Sequence, residues 1–474
     1  MDHPTQQHRI LSPNTVIANS LNRTIDVIRP HITRNHPHTI TFVVGVQING
    51  APHVGTYLTL GFCFVLAREA RRIFGVNSNV EFDALDNALS EVITDPESFH
   101  SYQQCFWQTT SKEDLYSILR DSYLDYFNHL TDVCATEYTW KTYSEIQADR
   151  EFRAEFLKSL KHLESLKWCI SPSKGAIGIR LPCPDCGYSE KHGERTFLRE
   201  VRADEALFSC YCWDHGYYEA TVTLDNHTYV DLNTIYRNVI KEATLCKRTE
   251  SMYVVVKGGD WAFSTPLVDQ GLSLLGYSTV QTPPRLFVPQ IVTPTGAKLS
   301  KSLIRERCES VRDVPEWIMD MSKFRAGTPD YADRMVWLIE KMMDNPKHTF
   351  RSYAYQEIIT MLDNYTPQPK VRHIQIYDKY YRMIESGEKT IEVRVGYSGM
   401  RRIQAGDVLC FNQKINRRVV RVAEYKSFED MFKSEDARKI NPHETVPQQL
   451  AAIRTIFPKH KEDLGVLIFD LTNP

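Results

Sequence analysis

The stretch VVGVQINGAPHVGTYLTL, residues 43–60, runs from an apolar strand through a turn into a helix. Residues 39–46 are apolar and β-branched, as expected of a buried central strand in a parallel sheet. Asn49, Gly50 and Pro52 provide the turn. Apolar residues then recur at helical spacing, at Leu58, Phe62, Val65 and Leu66. The pattern predicts a strand, turn and helix unit of an α/β protein.

His53 and Gly55 fall at the start of the predicted helix. Free backbone N–H groups and the positive end of the helix dipole favour a phosphate at such a position. Gly55 has no side chain to block its approach. We interpret this turn as a phosphate site, although the same pattern also occurs in proteins that bind no nucleotide.

The composition is that of an ordinary globular protein of about three domains, with 474 residues, 42% hydrophobic and 24% charged. Its polar start, MDHPTQQHR, has no apolar signal segment, and no run approaches the roughly 18 apolar residues of a membrane helix. We therefore expect a cytoplasmic protein with no membrane partner. Eleven cysteines in such a chain favour free thiols and a metal site over disulfides.

Two cysteine-containing knuckles, CPDCG and CWDHG, are the sharpest local signal. The first holds Cys183 and Cys186, and the second holds Cys212, 26 residues after Cys186, and His215. Three thiols and an imidazole in two such pairs predict a tetrahedral Zn²⁺ site, which is structural because four protein ligands leave no open position. Cys210 is the alternative ligand, and a set of unliganded buried thiols is the alternative interpretation.

An acidic segment follows the second predicted strand, residues 79–84. The segment EFDALDNALSEVITDPE contains Asp83 and Asp86 and no basic residue. Ligands of α/β proteins bind at the carboxyl ends of parallel strands, where these carboxylates are expected to lie. A solvated acidic loop is the alternative.

A glycine-rich turn follows the predicted strand 252–256, in the sequence KGGDWAF. Gly258 and Gly259 would let the backbone approach a ribose, and Asp260 would accept hydrogen bonds from its hydroxyls. This turn therefore provides a second candidate nucleotide contact.

A cationic loop, AKLSKS, follows the apolar run at residues 286–292 and contains Lys298 and Lys301. On its own, a pair of lysines in a loop indicates only a solvated surface. The loop also follows the last predicted strand, as the turn before His53 follows the first.

PHVGT after the first strand and KLSKS after the last, about 245 residues apart, resemble the two signatures of class I aminoacyl-tRNA synthetases. The order of FDALD, the cysteine knuckles, YVDLN and GGDW is most similar to the class I lysyl-tRNA synthetase family. The resemblance covers roughly residues 40–320. It implies an ATP-dependent ligase that forms an aminoacyl-adenylate.

The resemblance also implies roles for individual residues. The ATP-binding residues would be Gly45, His53, Gly55, Gly259, Asp260 and Lys301. The catalytic residues would be His53, Thr56, which replaces the family's second histidine, Lys298 and Lys301. Lysine or another cationic amino acid would be bound by Asp83, Asp86 and Asp231. ATP as a substrate, Mg²⁺ and structural Zn²⁺ are the implied cofactors.

A compositional boundary at residues 367–369 leads into short alternating strands. GEKTIEVR and GDVLCF, within residues 372–474, resemble the ASCH domain, a small β-barrel related to the PUA fold. Residues 370–426 carry 13 Lys and Arg against 6 Asp and Glu, which suits a polyanion. Candidate RNA-binding residues are Lys379, Lys389, Glu392 and Arg394. Lys389 and Glu392 would instead form a second active site if the domain resembles ASCH amidohydrolases that act on acylated cytidine; a solvated basic face is the third interpretation.

The predicted fold class is α/β, with a class I synthetase Rossmann-like parallel sheet, an inserted zinc ribbon, a short helical region and a C-terminal PUA-like β-barrel. Its predicted parts are an N-terminal extension (1–38), a catalytic domain (39–177 and 223–302), the zinc ribbon (178–222), the helical region (303–368) and the ASCH domain (369–474).

Three functions remain open at this point. The first is transfer of an activated amino acid to tRNA, with tRNA or another RNA also contacting the ASCH domain. The helical region is too short for the anticodon-binding part of the lysyl family, so the second is acylation of a small molecule or peptide in a biosynthetic pathway. The third is a non-catalytic RNA-binding protein.

Overall fold

The computed structural model describes most of the chain. Its described residues fall into two compact units, and the boundary in the sequence lies between Tyr365 and Thr366. The described residues are 21–173, 175–176, 178–293, 296–299, 314–366, 371–397, 399–412 and 414–472. The predicted boundary at residues 367–369 lies outside them. The finer division into five parts stays a prediction.

Strands occur in both units. Within the described residues they are β1 (Thr39–Gln47), β2 (Asn77–Leu85), β3 (Leu89–Thr94), β4 (Ser101–Cys105), β5 (Tyr138–Thr142), β6 (Ile179–Arg180), β7 (Ser189–Glu190), β8 (Phe197–Val201), β9 (Glu205–Cys212), β10 (Gly216–Thr223), β11 (Asp231–Leu232), β12 (Met252–Gly258), β13 (Arg285–Val288), β14 (Gln290–Val292), β15 (Ser352–Ala354), β16 (Val371–Ile374), β17 (Ile391–Val395), β18 (Val408–Phe411), β19 (Ile415–Tyr425) and β20 (Val466–Leu471).

The α-helices also occur in both units. Within the described residues they are α1 (Arg29–Asn35), α2 (Val54–Phe74), α3 (Phe106–Thr109), α4 (Lys112–Leu119), α5 (Asp125–Cys134), α6 (Tyr143–Ala148), α7 (Arg150–Leu160), α8 (Leu163–Ile170), α9 (Thr234–Leu245), α10 (Thr265–Leu274), α11 (Glu316–Met319), α12 (Met321–Gly327), α13 (Tyr331–Met343), α14 (Pro346–Thr349), α15 (Tyr355–Asp363), α16 (Asp378–Ser386), α17 (Phe428–Ser434), α18 (Ala437–Ile440), α19 (Val446–Ile456) and α20 (Lys459–Glu462). None of these helices combines the length and the apolar character needed to cross a bilayer.

A five-stranded parallel sheet, in the order β13-β12-β1-β2-β5, forms the centre of the first unit. β1 lies in the middle, with Val43 opposite Val255 of β12 and Gly45 opposite Asp83 of β2. Because parallel strands all end at one edge, the turns after β1, β2 and β12 meet there. The predicted parallel α/β sheet is confirmed.

Helix α2 covers this sheet and begins at Val54, immediately after its N-cap residue His53. It ends before Gly75, whose φ of 67° lies in the left-handed region that favours glycine. The apolar positions predicted from the spacing are all buried: Leu58, Phe62, Val65 and Leu66. The start of α2 therefore stands at the carboxyl edge of the sheet, as the opening stretch predicts.

An insertion between β5 and α9 carries small antiparallel sheets, β10-β9-β8 and β3-β4-β7, the latter using two earlier strands. At its base, β6 pairs with β11, placing Ile179 opposite Leu232. Phe208 of the insertion lies in one hydrophobic core with Phe156 of α7 and Tyr236 of α9. The insertion is therefore packed into the first unit through the same helices that border the central sheet.

The region that follows, residues 314–366, contains α11–α15 and β15. Only α13 and α15 are longer than two turns, and the other helices of this region are short. α13 packs across α2, where the Arg68 guanidinium lies 2.6 Å from the Glu340 carboxylate. β15 pairs with β14 in parallel.

The second unit is built on a five-stranded sheet in the order β16-β18-β19-β20-β17. β20 is buried on both faces, with Phe469 in one hydrophobic core and Val466 and Ile468 in another, as the two-residue period of a strand requires. Among the described strands no pairing joins β16 to β17. The predicted barrel is thus not confirmed by the described strands.

Strand β5 is the main element that the sequence pattern missed. It pairs with β2 so that Trp140 lies opposite Phe82. It is only five residues long and lies at the edge of the sheet. So short a segment is identified as a strand by its pairing with β2 rather than by its own pattern of residues.

Candidate functional site

A pocket of about 420 Å³ opens at the carboxyl edge of the parallel sheet in the first unit. Its lining residues come from β1, β2, α2, α9, the end of β12 and the loop after β14. They include Gly45, His53, Gly55, Thr56, Asp83, Arg237, Asn238, Lys241, Glu242, Lys257, Asp260 and Lys298. The pocket thus brings together segments up to about 255 residues apart in the chain.

His53 caps the start of α2 with its own side chain. The His53 Nδ1 accepts a hydrogen bond of 3.1 Å from the Gly55 N–H. A Cβ on Gly55 would lie only 3.0 Å from the imidazole carbon Cε1 of His53. Gly55 therefore makes room for the imidazole that caps the helix, in addition to the predicted role of leaving a phosphate unobstructed. Thr56 follows on the pocket side and is 8% exposed.

Asp83 forms an ion pair with Lys241 at the pocket floor. Lys241 projects from α9 across Gly45, where an added Cβ would lie 3.5 Å from its Nζ and 3.6 Å from the Asp83 Cβ. These are ordinary van der Waals distances, so the pair does not require glycine at position 45, and its two charges balance each other.

The turn after β12 places Asp260 against Lys298, with 2.5 Å between the Asp260 Oδ2 and the Lys298 Nζ. Gly259 is closely packed there, because an added Cβ would lie 3.2 Å from the Val288 carbonyl oxygen. Both charged side chains remain partly exposed. The predicted ribose contact and one predicted catalytic lysine are therefore adjacent, while Lys301 lies outside the described residues.

Asp86 and Asp231 are buried outside the pocket lining. The Asp86 carboxylate accepts hydrogen bonds from the Ser144 N–H (3.0 Å) and hydroxyl (2.5 Å) at the start of α6. Asp231 lies 2.6 Å from the Arg180 Nε and accepts a hydrogen bond of 2.8 Å from the Asn87 amide. Of the three predicted amino-acid ligands, only Asp83 lines the pocket, and the role of the other two stays a prediction.

Burial raises the pKa of Asp86 to about 6, although the hydrogen bonds from Ser144 act in the opposite direction. Since the folded-state pKa exceeds the reference value of 3.8, the folded protein binds this proton more tightly than the unfolded chain does. The associated stability is fully present below about pH 4 and is lost as the pH rises through about 6.

We therefore expect Asp86→Asn to stabilise the first unit relative to wild type at pH 7 but not at pH 4. A shift of this size corresponds to about 3 kcal/mol. Thermal unfolding of both proteins between pH 4 and 7 measures the difference, with the exposed Glu113→Gln as the control. Parallel pH profiles for wild type and Asp86→Asn would contradict the assignment.

Sequence reasoning missed the contribution of α9 to the pocket. Arg237, Asn238 and Lys241 share one helical face that borders it. The neighbouring Glu242 is 2% exposed and binds Lys257 (2.7 Å) and Arg285 (2.8 Å). Burial acts to raise the pKa of Glu242, but these two cations lower it below its ordinary value. The available signal was the polar face of α9. A helix that covers a sheet ordinarily turns such a face to solvent, so the pattern did not indicate that these groups point into the pocket.

The four predicted metal ligands lie together in the insertion, with their ligand atoms within 4.8 Å of one another. The Cys186 Sγ is 3.5 Å from the Cys212 Sγ, and the His215 Nδ1 is 3.6 Å from the Cys212 Sγ and 3.8 Å from the Cys183 Sγ. Zn–S bonds of about 2.3 Å in a tetrahedral site separate sulfur atoms by about 3.8 Å. The donor set and its spacing therefore fit a tetrahedral ion.

Cys210, the alternative ligand, does not belong to this cluster. It is 1% exposed in the core of the insertion, and burial raises its pKa to about 12. Each knuckle ends in a left-handed glycine, Gly187 (φ 78°) and Gly216 (φ 72°), which turns the backbone around the cluster.

A second pocket, of about 390 Å³, lies in the second unit. The buried Lys389 Nζ donates hydrogen bonds to the carbonyl oxygens of Ile391 (2.5 Å) and Ile440 (3.2 Å) and lies 3.4 Å from Glu392. Burial lowers the pKa of Lys389. Arg394, 3.0 Å from the other oxygen of Glu392, also lines this pocket.

Lys379 takes a different position from the other three candidates of this unit. It does not line the pocket, and its Nζ lies 3.6 Å from Glu444 and 4.6 Å from the centre of the Tyr380 ring. Tyr380 does line the pocket and also has the Lys389 Nζ 5.7 Å from its ring centre. The cavity is therefore lined by an aromatic ring and two cations, together with Glu392, Glu444 and apolar side chains.

Residues 374–462 match the ASCH domain family. The second unit contains an ASCH domain. A protein from Pyrococcus furiosus is similar to this chain at 24% identity over 21% of this chain and 94% of its own, with a TM-score of 0.20.

Two solved synthetases also show limited similarity. A tyrosyl-tRNA synthetase from Archaeoglobus fulgidus shares 15% identity over 64% of this chain and 71% of its own, with a TM-score of 0.32. A tryptophanyl-tRNA synthetase from Encephalitozoon cuniculi shares 12% identity over 69% and 83%, with a TM-score of 0.30. Among curated proteins, none matches this sequence.

Proposed function

We propose that the first unit is an ATP-dependent ligase that activates an amino acid as its adenylate. The observation that carries this proposal is the pocket at the carboxyl edge of the parallel sheet, lined by His53, Asp83, Asp260 and Lys298. Ligands of open α/β sheets bind at this edge. The pocket therefore offers the nucleotide contacts that the two synthetase-like signatures imply.

Each residue has a chemical role in this proposal. Asp260 accepts hydrogen bonds from the ribose hydroxyls of ATP and releases Lys298 from the ion pair. The Lys298 ammonium then stabilises the negative charge that grows on the α-phosphate during attack by the amino-acid carboxylate. His53 positions the phosphates at the start of α2, and Mg²⁺ arrives with them. The amino-acid carboxylate is the nucleophile and pyrophosphate is the leaving group, so no side chain has to attack the phosphate.

Amino-acid-dependent exchange of labelled pyrophosphate into ATP tests this activity. The reaction is run with each of the twenty standard amino acids and without RNA. Exchange with one or a few of them supports the ligase, whereas absence of exchange with all of them favours a non-catalytic RNA-binding protein.

The acceptor is tRNA or a smaller molecule. Incubation with labelled amino acid and total tRNA separates these outcomes. Charged tRNA supports a synthetase, whereas exchange without charging supports a paralogue that acylates a small molecule or peptide.

The four-ligand cluster of the insertion binds Zn²⁺ in this proposal. Three thiolates and one imidazole are the soft and borderline ligands that zinc prefers, and a closed ligand set makes the ion structural. The insertion shares its core with α7 and α9, so the metal stabilises one wall of the catalytic unit.

The ASCH domain binds single-stranded RNA in its pocket. Tyr380 provides a stacking surface for a base, and Arg394 faces the same cavity. We expect Tyr380→Ala to weaken binding of single-stranded RNA by about 10-fold, because one stacked base contributes roughly 1 to 3 kcal/mol. Fluorescence anisotropy with the full-length protein measures this, with the exposed Tyr397→Ala as the matched control. Equal affinities for the two variants would contradict the assignment.

A second candidate activity for this pocket is amide hydrolysis on acylated cytidine. The buried Lys389 with a lowered pKa, 3.4 Å from Glu392, is the observation that favours it. Release of cytidine from an acylated nucleoside, lost in Lys389→Met, supports this activity. Retention of RNA binding with no nucleoside turnover supports the binding role alone.

A further inference from the structure

Arg237 is a nearly buried cation of this pocket that has no anionic partner among the described residues. It lines the pocket from α9 and is 4% exposed. Among the residues that the structure describes, no carboxylate oxygen lies within 4.0 Å of its guanidinium. Its guanidinium carbon lies 5.6 Å from the centre of the Tyr143 ring.

The other cations among the described residues that line the pocket are all paired. Lys241 is bound by Asp83, Lys257 by Glu242 at 2.7 Å, and Lys298 by Asp260 at 2.5 Å. Their charges are therefore largely compensated within the protein. Arg237 differs from them because its five N–H donors have no carboxylate within ion-pair distance among the described residues.

An unpaired buried cation is costly, since it gives up its hydration and receives no ion pair in return. A guanidinium also binds carboxylates with two parallel hydrogen bonds, which a lysine cannot do. A bound anion would therefore remove the cost and gain a strong, directional interaction. This makes Arg237 the pocket group best suited to a ligand carboxylate.

The position of Arg237 separates it from the nucleotide contacts. Its neighbour Tyr143 begins α6 directly after β5, at the β5 and β2 side of the sheet. Asp260 and Lys298 lie beyond the end of β12, on the other side of β1. β12 and β2 are two strand spacings apart, about 10 Å. The anion at Arg237 therefore belongs to the second substrate rather than to the nucleotide.

We propose that Arg237 binds the side-chain carboxylate of an acidic amino acid, which is the substrate that the pocket activates. This inference rests on the proposed ligase. The reacting α-carboxylate has to meet the α-phosphate near His53 and Lys298, so an anion at Arg237 lies at the opposite end of the substrate. Asp83 does not favour a cationic side chain, because Lys241 already neutralises it. The substrate class is therefore dicarboxylic rather than lysine-like.

Isothermal titration of the full-length protein with L-glutamate, L-aspartate and L-lysine tests the inference directly. We expect an acidic amino acid to bind and Arg237→Met to weaken that binding by about 10- to 100-fold. Lys247→Met, which removes the same charge just beyond the end of α9, is the matched control and should bind as wild type does. The unfolding temperature of Arg237→Met should not fall, because an unpaired buried charge is removed.

Arg237→Lys is the second variant, in case Arg237→Met does not fold. It keeps the charge and loses the paired N–H donors, so we expect an intermediate affinity. Tighter binding of lysine than of either acid, or unchanged affinity in both variants, would overturn the inference. Loss of ATP affinity without loss of amino-acid affinity would also overturn it, by assigning Arg237 to the phosphates.

The exchange reaction distinguishes this inference from the proposed function. Exchange with amino acids other than the acidic ones leaves the ligase standing and overturns the role of Arg237. Absence of exchange together with Arg237-dependent binding of an acid overturns the ligase and supports the recognition of an acidic ligand.

Discussion

Replacing Lys298 with methionine is expected to slow amino-acid-dependent pyrophosphate exchange by about 100- to 1,000-fold, the usual effect of removing one group that stabilises transition-state charge. Lys298 is partly exposed and contacts only Asp260 among the described carboxylates, so the fold should not depend on it. The loss should therefore appear in kcat, with an unfolding temperature close to that of wild type.

The matched control for this prediction is Lys323→Met, which removes an exposed lysine of α12 that does not line the pocket. Asp260→Asn provides a second, independent variant. We expect it to raise the KM for ATP, because its proposed contact is with the ribose. Exchange at the wild-type rate in both Lys298→Met and Asp260→Asn would remove this pocket from consideration as the site of adenylation.

Replacing Cys212 with serine is expected to remove one equivalent of bound zinc and to unfold the insertion locally. The Cys212 Sγ lies between the Cys186 Sγ at 3.5 Å and the His215 Nδ1 at 3.6 Å, so it is central to the cluster. Structural zinc sites contribute about 10 kcal/mol or more to the folding of small domains at neutral pH. Metal analysis and limited proteolysis of residues 183–216 measure the two effects.

Two cysteine variants make this prediction specific. Cys210→Ser lies outside the cluster and should retain the metal, and so should Cys169→Ser in α8. A full equivalent of zinc in Cys212→Ser, or its loss in Cys210→Ser alone, would show that the ligand set is different.

The centre of the fold could be predicted because local and tertiary requirements agree there. Residues 39–46 are apolar on both faces, and β1 spans Thr39–Gln47 between two neighbouring strands. His53 was correctly expected at the start of α2. Its capping contact with Gly55 could not be derived from sequence, because it depends on the direction in which the imidazole turns.

The pocket could be predicted only in part, because its charges are paired across long distances in sequence. Asp83 was expected to bind the substrate, but Lys241 lies 158 residues later in the chain and neutralises it. Asp86 lies at the expected edge, directly after β2, but its carboxylate accepts hydrogen bonds from Ser144 at the start of α6, next to a strand that the pattern missed. Which carboxylate meets which cation is decided by packing, and local spacing carries no information about it.

The buried Glu242 has a consequence for how this pocket can change. It holds α9 to β12 and β13 through Lys257 and Arg285, and it leaves Arg237, Asn238 and Lys241 on the face toward the cavity. Helix anchoring and ligand selection are thus assigned to different positions of one helix. Random substitution at positions 237 and 238 should therefore yield folded proteins with altered preferences, whereas substitution at 242, or at 241, whose charge compensates the buried Asp83, should yield few folded proteins. The scaffold is in this sense evolvable, because a new substrate can be acquired without rebuilding the contact between helix and sheet.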